Sequence, residues 1–373
     1  MKTLPVVFVL VLSCCFRAIA GEPQLTEVQR IEIPDLEGSI CVAISADGRF
    51  AYVATGGHAR EVSTFTRDLQ TGRLEFVEAV KRPDVICPMR LRFSADENYL
   101  VVADANTKSA PIFRRDAATG KLTKFIDISA DLVAKAALTS VQDAHLSPDG
   151  RFLYVAGVNG LAIFQVANHQ ISLVQVLANR VDMADLRPFA LSPDARFLYC
   201  IARASNMLTV FSRDATSGKI KSVQTLQSGV NDIDSLRGAF RVDASRDGKN
   251  VYVSAGRYER DDHAVTVFTV QADGTLKLLQ KLVNGTDDLS EFEGGNEIRV
   301  SPDGKSVCAV ASLSDRLFYF RREPETGKLT FITSAQVGNF KTPGAAGVCF
   351  SPDSKFAYVA DEIENIVDVF KLP

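Results

Sequence analysis

A six-residue motif recurs seven times, and its spacing constrains the fold more than any other feature of the chain. The copies begin at Ser45 (SADGRF), Ser94 (SADENY), Ser147 (SPDGRF), Ser192 (SPDARF), Ser245 (SRDGKN), Ser301 (SPDGKS) and Ser351 (SPDSKF). They lie 49, 53, 45, 53, 56 and 50 residues apart. Seven such units occupy nearly all of the 373 residues, which excludes two or three unrelated domains. Short strands at this period predict a ring of β-blades rather than a helical solenoid.

Each unit reads as four strands. An alternating segment such as Ile298-Arg299-Val300 precedes the motif, whose Pro-Asp-Gly composition suits a tight turn. A continuous apolar run follows, as in Phe152-Leu153-Tyr154-Val155-Ala156, and predicts a strand covered on both faces. A third strand carries a Phe in every copy: Phe65, Phe113, Phe164, Phe211, Phe268, Phe320 and Phe370. A second turn leads to a fourth strand such as Lys328-Leu329-Thr330-Phe331. The last copy runs out of chain before its fourth strand. Residues 25–33 read like that missing strand. The expectation is an all-β, single closed seven-bladed β-propeller of four-stranded antiparallel blades. Residues 25–33 would join the last blade and protect its edge.

Residues 1–20 read as a cleavable secretory signal: Lys2, an apolar stretch from Leu4 to Phe16, then Ala18-Ile19-Ala20. The domain proper would be residues 21–373, exported to the periplasm or the extracellular space. Lipid attachment at Cys14 is a minor alternative. A net charge of −3 offers nothing for nucleic acid to bind. Five cysteines remain beyond the leader (41, 87, 200, 308 and 349), an odd number that predicts no disulfide framework. The four histidines (58, 145, 169 and 263) have no ligand spacing, so no metal or cofactor is expected. Oxygen ligands for Ca²⁺ could come from linkers holding Asp182/Asp185, Asp232/Asp234 and Asp287/Asp288.

Turn lengths orient the ring. The motif turn and the second turn are short and share one rim, so the long connections share the other, where sites usually sit. Two columns of the first strand face the channel. Four residues before the motif stand Cys41, Arg90, Asp143, Pro188, Arg241, Glu297 and Gly347. Two before it stand Ala43, Arg92, His145, Ala190, Asp243, Arg299 and Cys349. Charges here either pair with one another or form a site. As a site, Arg90, Arg92, Arg241 and Arg299 would bind an anion with Asp243 and Asp104. Glu297, Asp143 and His145 would be the catalytic acid–base candidates.

The pattern SPDG-(K/R)-x-φ-Y-V-A followed by F-x-R-D-x-x-T-G-x-L resembles the seven-bladed lactonase-like propellers. That is the family of bacterial 6-phosphogluconolactonase and the fungal carboxymuconate-cyclising enzymes. Phe113-Arg114-Arg115-Asp116 running to Gly120-Lys121-Leu122 is one example, and the resemblance spans the whole domain. It implies lactone-ring hydrolysis as one activity. Glu297-Ile298-Arg299 fits the family's E-I-R element, and Asp104 fits the first Asp of its D-L-G-x-D element. Arg90 stands where a His is usual, and Ala311-Ser312-Leu313-Ser314 replaces an expected Asn-Arg-Gly-His. The linkers around Asp232 and Asp287 resemble those of secreted Asp-rich propeller-repeat proteins. Two functions are therefore expected: binding of a small anionic or sugar-derived ligand, or a protein partner, on the long-loop face; or lactone hydrolysis.

Overall fold

The computed structural model describes residues 23–373 except 33–36, 57–59, 82–85, 107–108, 129, 169, 259, 287–288 and 340–343. Residues 1–20, expected to be a leader and including Cys14, lie outside the described residues, as do His58, His169 and Asp287/Asp288. Seven four-stranded antiparallel sheets form a ring, and every strand but the first pairs with a sequence neighbour. Blades 1 to 6 comprise residues 37–81, 88–128, 141–178, 190–227, 239–283 and 295–336. Blade 7 takes three strands from residues 345–371 and its outer strand from the N-terminus. That outer strand, β1 (Thr26–Glu32), pairs with Ile366–Lys371, with Thr26 opposite Lys371 and Glu32 opposite Ile366. Ring closure from the N-terminus is thus as expected. No helix among the described residues is long and apolar enough to cross a membrane.

The motif is a self-contained turn. Ser45 Oγ donates to Asp47 Oδ1 at 2.6 Å, while the Phe50 amide donates back to Ser45 Oγ at 3.1 Å. The same Ser–Asp bond forms in the other six copies. The fourth motif residue has positive φ throughout, between +53° and +71°, which explains the Gly in four copies. Glu97, Ala195 and Ser354 hold the same left-handed backbone at a steric cost.

Each of seven apolar clusters fills one seam between neighbouring blades. All seven third-strand Phe side chains are buried in them. Burying one contributes about 1.5–3 kcal/mol. A polar latch closes four seams on the short-turn rim. At the seam of blades 1 and 2, Tyr52 Oη donates to the Gly120 carbonyl at 2.7 Å and accepts from Arg115 Nε at 3.0 Å. Gly120, at φ +75°, lies so close to Phe50 that a Cβ would stand 2.3 Å from the ring. The R and the G of F-x-R-D-x-x-T-G are therefore seam contacts. Tyr154 with Arg213 and Gly218, Tyr252 with Arg322 and Gly327, and Tyr358 with Arg67 and Gly72 repeat the arrangement.

Candidate functional site

The inner strands place the channel residues. In blades 1, 2, 3, 5, 6 and 7 a register shift falls immediately before the residue four ahead of the motif. Such a bulge kinks the strand and re-aims its side chains. In blade 4, Pro188 occupies that place, and the inner strand shrinks to Ala190–Leu191.

Glu297 is the hub. It is buried, and its carboxylate takes both terminal nitrogens of Arg90 from blade 2, across the channel, with Nη2 at 3.0 Å from Oε1. Arg241 Nε approaches Oε2 to 3.6 Å and Arg299 Nε approaches Oε1 to 3.5 Å. Burial pushes the Glu297 carboxyl up, but Arg90 and Arg299 outweigh it and hold it at about 2. Asp143 is likewise buried and takes a fork from Arg92, at 3.2 and 2.9 Å. Burial opposes this, yet the Arg92 charge keeps that carboxyl below its ordinary value. Arg92 also donates to the Phe189 carbonyl. Asp243 lies 3.9 Å from Arg299 and accepts from the Val300 amide at 2.9 Å.

His145 stands among these charges. Its Nδ1 lies 2.8 Å from the Leu146 carbonyl, which can only accept, so Nε2 carries the lone pair. Burial, then the Arg92 charge, depress the imidazole to about 4, so it is neutral at pH 7. Asp104 lies apart from this network. Its Oδ2 accepts the Ile86 and Cys87 amides at 2.7 Å each, and its Oδ1 accepts the Asn106 amide. It braces the connection that leads into blade 2 and is not part of the channel cluster.

Three further residues extend the cluster: Arg187, Phe240 and Arg257. The guanidinium groups of Arg241, Arg187 and Arg257 stand 4.3, 4.8 and 5.7 Å from the centre of the Phe240 ring. Arg187 is paired with Asp185, and Arg257 with Glu362. Phe240 and Arg187 sit five residues ahead of their motifs, a column that plain alternation aims away from the channel. In blade 5 the bulge between Ala239 and Arg241 shows otherwise, and in blade 4 the strand does not begin until Ala190, after Pro188. Arg241 is held well below an ordinary arginine, first by burial and then by Arg90, with Arg187 and Arg257 adding to it.

The acidic linkers are engaged elsewhere: Asp182 with Arg180, Asp185 with Arg187 and Arg203, and Asp234 with Lys281. Among the described residues no group of three or more His, Cys, Asp or Glu converges as a metal site. Cys41, Cys87, Cys200, Cys308 and Cys349 are free thiols. Burial pushes Cys41, beside Arg90, up to about 12, so it is no nucleophile near neutrality.

A closed ring of seven four-stranded blades with an arginine–carboxylate network at its inner wall is a seven-bladed β-propeller. The model of the lactonase seven-bladed β-propeller family matches residues 16–136, 129–232 and 261–343, and the chain belongs to that family. The 6-phosphogluconolactonase of Cronobacter sakazakii is 24% identical over 265 residues, covering 69% of this chain and 74% of its own. The periplasmic gluconolactonase of Pseudomonas aeruginosa superposes with a TM-score of 0.65 at 21% identity, over 80% of this chain and 86% of that one. Kuenenia stuttgartiensis hydrazine synthase matches with a TM-score of 0.67 at 18% identity, over 91% and 97%. Fold likeness at this identity thus extends well beyond one chemistry.

Proposed function

We propose that the channel binds a small anionic, sugar-derived ligand, an aldonate or its phosphate, at its long-loop end. One observation carries the reading. The buried Arg241 guanidinium crowds against Arg90, Arg187 and Arg257, and its Nε has no hydrogen-bond partner among the described residues. In the two channel columns Arg90, Arg92, Arg241 and Arg299 face only Glu297, Asp143 and Asp243. An incoming carboxylate or phosphate would supply the missing charge and accept the unused donor. The sugar-acid chemistry in the names of the Cronobacter and Pseudomonas relatives supports the ligand class. The signal-like sequence of residues 1–20 supports the reading that the protein is exported. Calorimetric titration with gluconate and 6-phosphogluconate should show binding that weakens with salt and is lost in Arg241→Met. No heat and no thermal shift with either acid would sink the proposal.

Lactone hydrolysis is the second reading, favoured by the family. On this reading His145 Nε2 would serve as the base, since arginine pairs hold Glu297 and Asp143, and Arg92 and Arg299 would stand beside the developing oxyanion. A turnover assay on a panel of sugar lactones tests it. Hydrolysis should be lost in His145→Gln and should rise with pH around 4, then stay level to pH 8. A rate that keeps climbing through pH 7 argues against His145.

A further inference from the structure

The seam between blades 2 and 3 lacks every part of the latch. Val101 stands where Tyr52, Tyr154, Tyr252 and Tyr358 supply a hydroxyl. Val166 stands where Arg67, Arg115, Arg213 and Arg322 supply a guanidinium. The turn glycine is gone, since Ala167 pairs directly with Gln170 in a shortened hairpin. A cavity of about 430 Å³ opens there on the short-turn rim, on the face opposite the long loops. Tyr99, Ile112, Phe125, Leu146 and Val166 line it, with Asp96 and Asp149 among its polar walls.

The other half of the guanidinium site is still in place. At three latched seams the inserted arginine pairs with the motif Asp of the preceding blade: Arg322 with Asp247 at 2.8 Å, Arg115 with Asp47 at 3.5 Å and Arg67 with Asp353 at 3.6 Å. At two of them the guanidinium also stands over an aromatic ring of that blade, Arg115 at 5.6 Å from Phe50 and Arg67 at 5.3 Å from Phe356; at the third, Arg322 meets Asn250 instead. Asp96 is the matching carboxylate at the open seam. Its Oδ1 is fixed by Ser94 Oγ and the Asn98 amide, as Asp47 is fixed by Ser45 and Arg49. That leaves Oδ2, the oxygen that meets Arg322 and Arg115 in the other copies, bonded to the Asn98 side chain. Tyr99 is the matching ring, packed on Phe125 at 4.7 Å. Burial alone would raise the Asp96 carboxyl, but the Ser94 and Asn98 hydrogen bonds outweigh it and keep it ionised.

We infer that this slot binds a small molecule carrying an alkylguanidinium group, whose head takes the place of the absent latch arginine against Asp96 and Tyr99. Its apolar stem would lie along Ile112, Leu146 and Val166. The cation-rich channel on the other face repels such a ligand, so the two sites do not compete.

Agmatine is a suitable probe. Millimolar agmatine should raise the melting temperature of the full chain by a few degrees. The rise should vanish in Val166→Arg, which rebuilds the guanidinium from within, and in Asp96→Asn, which removes the pairing charge. No rise in the parent protein overturns the inference, and so does a rise that persists in either variant. Should Val166→Arg fail to fold, calorimetric titration of Asp96→Asn against the parent decides alone.

Discussion

The seam of blades 1 and 2 and the seam of blades 2 and 3 are built from the same repeat, yet one is sealed and the other open. The first carries Tyr52, Arg115 and Gly120, joined by hydrogen bonds across the rim. The second carries Val101, Val166 and a shortened turn, and leaves a cavity. Both keep an apolar cluster of similar make-up. Hydrophobic packing therefore holds the blades together, and the latch closes the rim above it. The seam of blades 4 and 5 is intermediate. It keeps Tyr199 and Gly274 but has Val270 in place of arginine, and a smaller cavity of about 330 Å³ lies there. The seam of blades 6 and 7 has Cys308 and Leu372 at the latch positions and is joined on the long-loop rim instead. There Asp315 of blade 6 accepts the Gly344 and Ala345 amides of blade 7, and its second oxygen shares a buried site with Asp361.

Breaking a latch should have the largest effect. Arg322 is buried and bonds Tyr252, Asp247, Asn250 and the Gly304 carbonyl, so Arg322→Ala should cost about 3 kcal/mol. Val166→Ala, at the same station of the open seam, should cost about 1 kcal/mol. Equal losses in urea unfolding would break the contrast. Next in size is Gly120→Ala. It combines left-handed backbone strain with a clash against Phe50, and should cost about 2 kcal/mol. Asn168→Ala in the shortened turn should cost well under that.

The carboxyl pair at blades 6 and 7 makes a pH prediction. Burial, and then Asp315 and Glu364, raise Asp361 to about 7, although the Ile363 and Glu364 amides oppose it. The folded chain thus keeps a proton that the unfolded chain releases near pH 4. Stability conferred by that proton is complete below pH 4 and is lost as pH rises toward 7. Melting temperature should fall over that window relative to Asp361→Asn, in which the slope should flatten. Parallel curves would remove the pair from the account of this seam. The smallest effect belongs to the turn itself. Ala195→Gly relieves a φ of +53° and should add about 0.5 kcal/mol, unaffected by which seam is latched. Thermal unfolding of Ala195→Gly beside Gly248→Ala, which should lose a comparable amount, measures it.

Much of this was legible along the chain. A seven-fold motif with a missing last strand leaves one closed topology, and Thr26–Glu32 takes it. The Arg90, Asp143, Arg241 and Glu297 columns were visible as polar residues in an otherwise apolar strand. Three things were not visible. The bulge ahead of Arg90, Arg241 and Glu297 has no local sequence mark, so Phe240 stayed hidden in the wrong column, and Arg187 lies ahead of an inner strand that is cut short after Pro188. Asp104 matched a family element but, on the structure, ties down Ile86 and Cys87. The latch joins residues such as Tyr52 and Arg115, 63 positions apart, on different blades.

The sequence by itself determined the number of blades, their strand order and the identity of the charges at the inner wall. These follow from periodicity, which is a local property of the chain. Only the tertiary structure decided how those charges combine. Closing the ring brings Arg90 of blade 2 against Glu297 of blade 6, 207 residues away, and leaves Arg241 without a matching carboxylate of its own. It also decided which seams seal. A missing arginine becomes a cavity only when the neighbouring blade presents its carboxylate and ring to the gap, as Asp96 and Tyr99 do beside Val166.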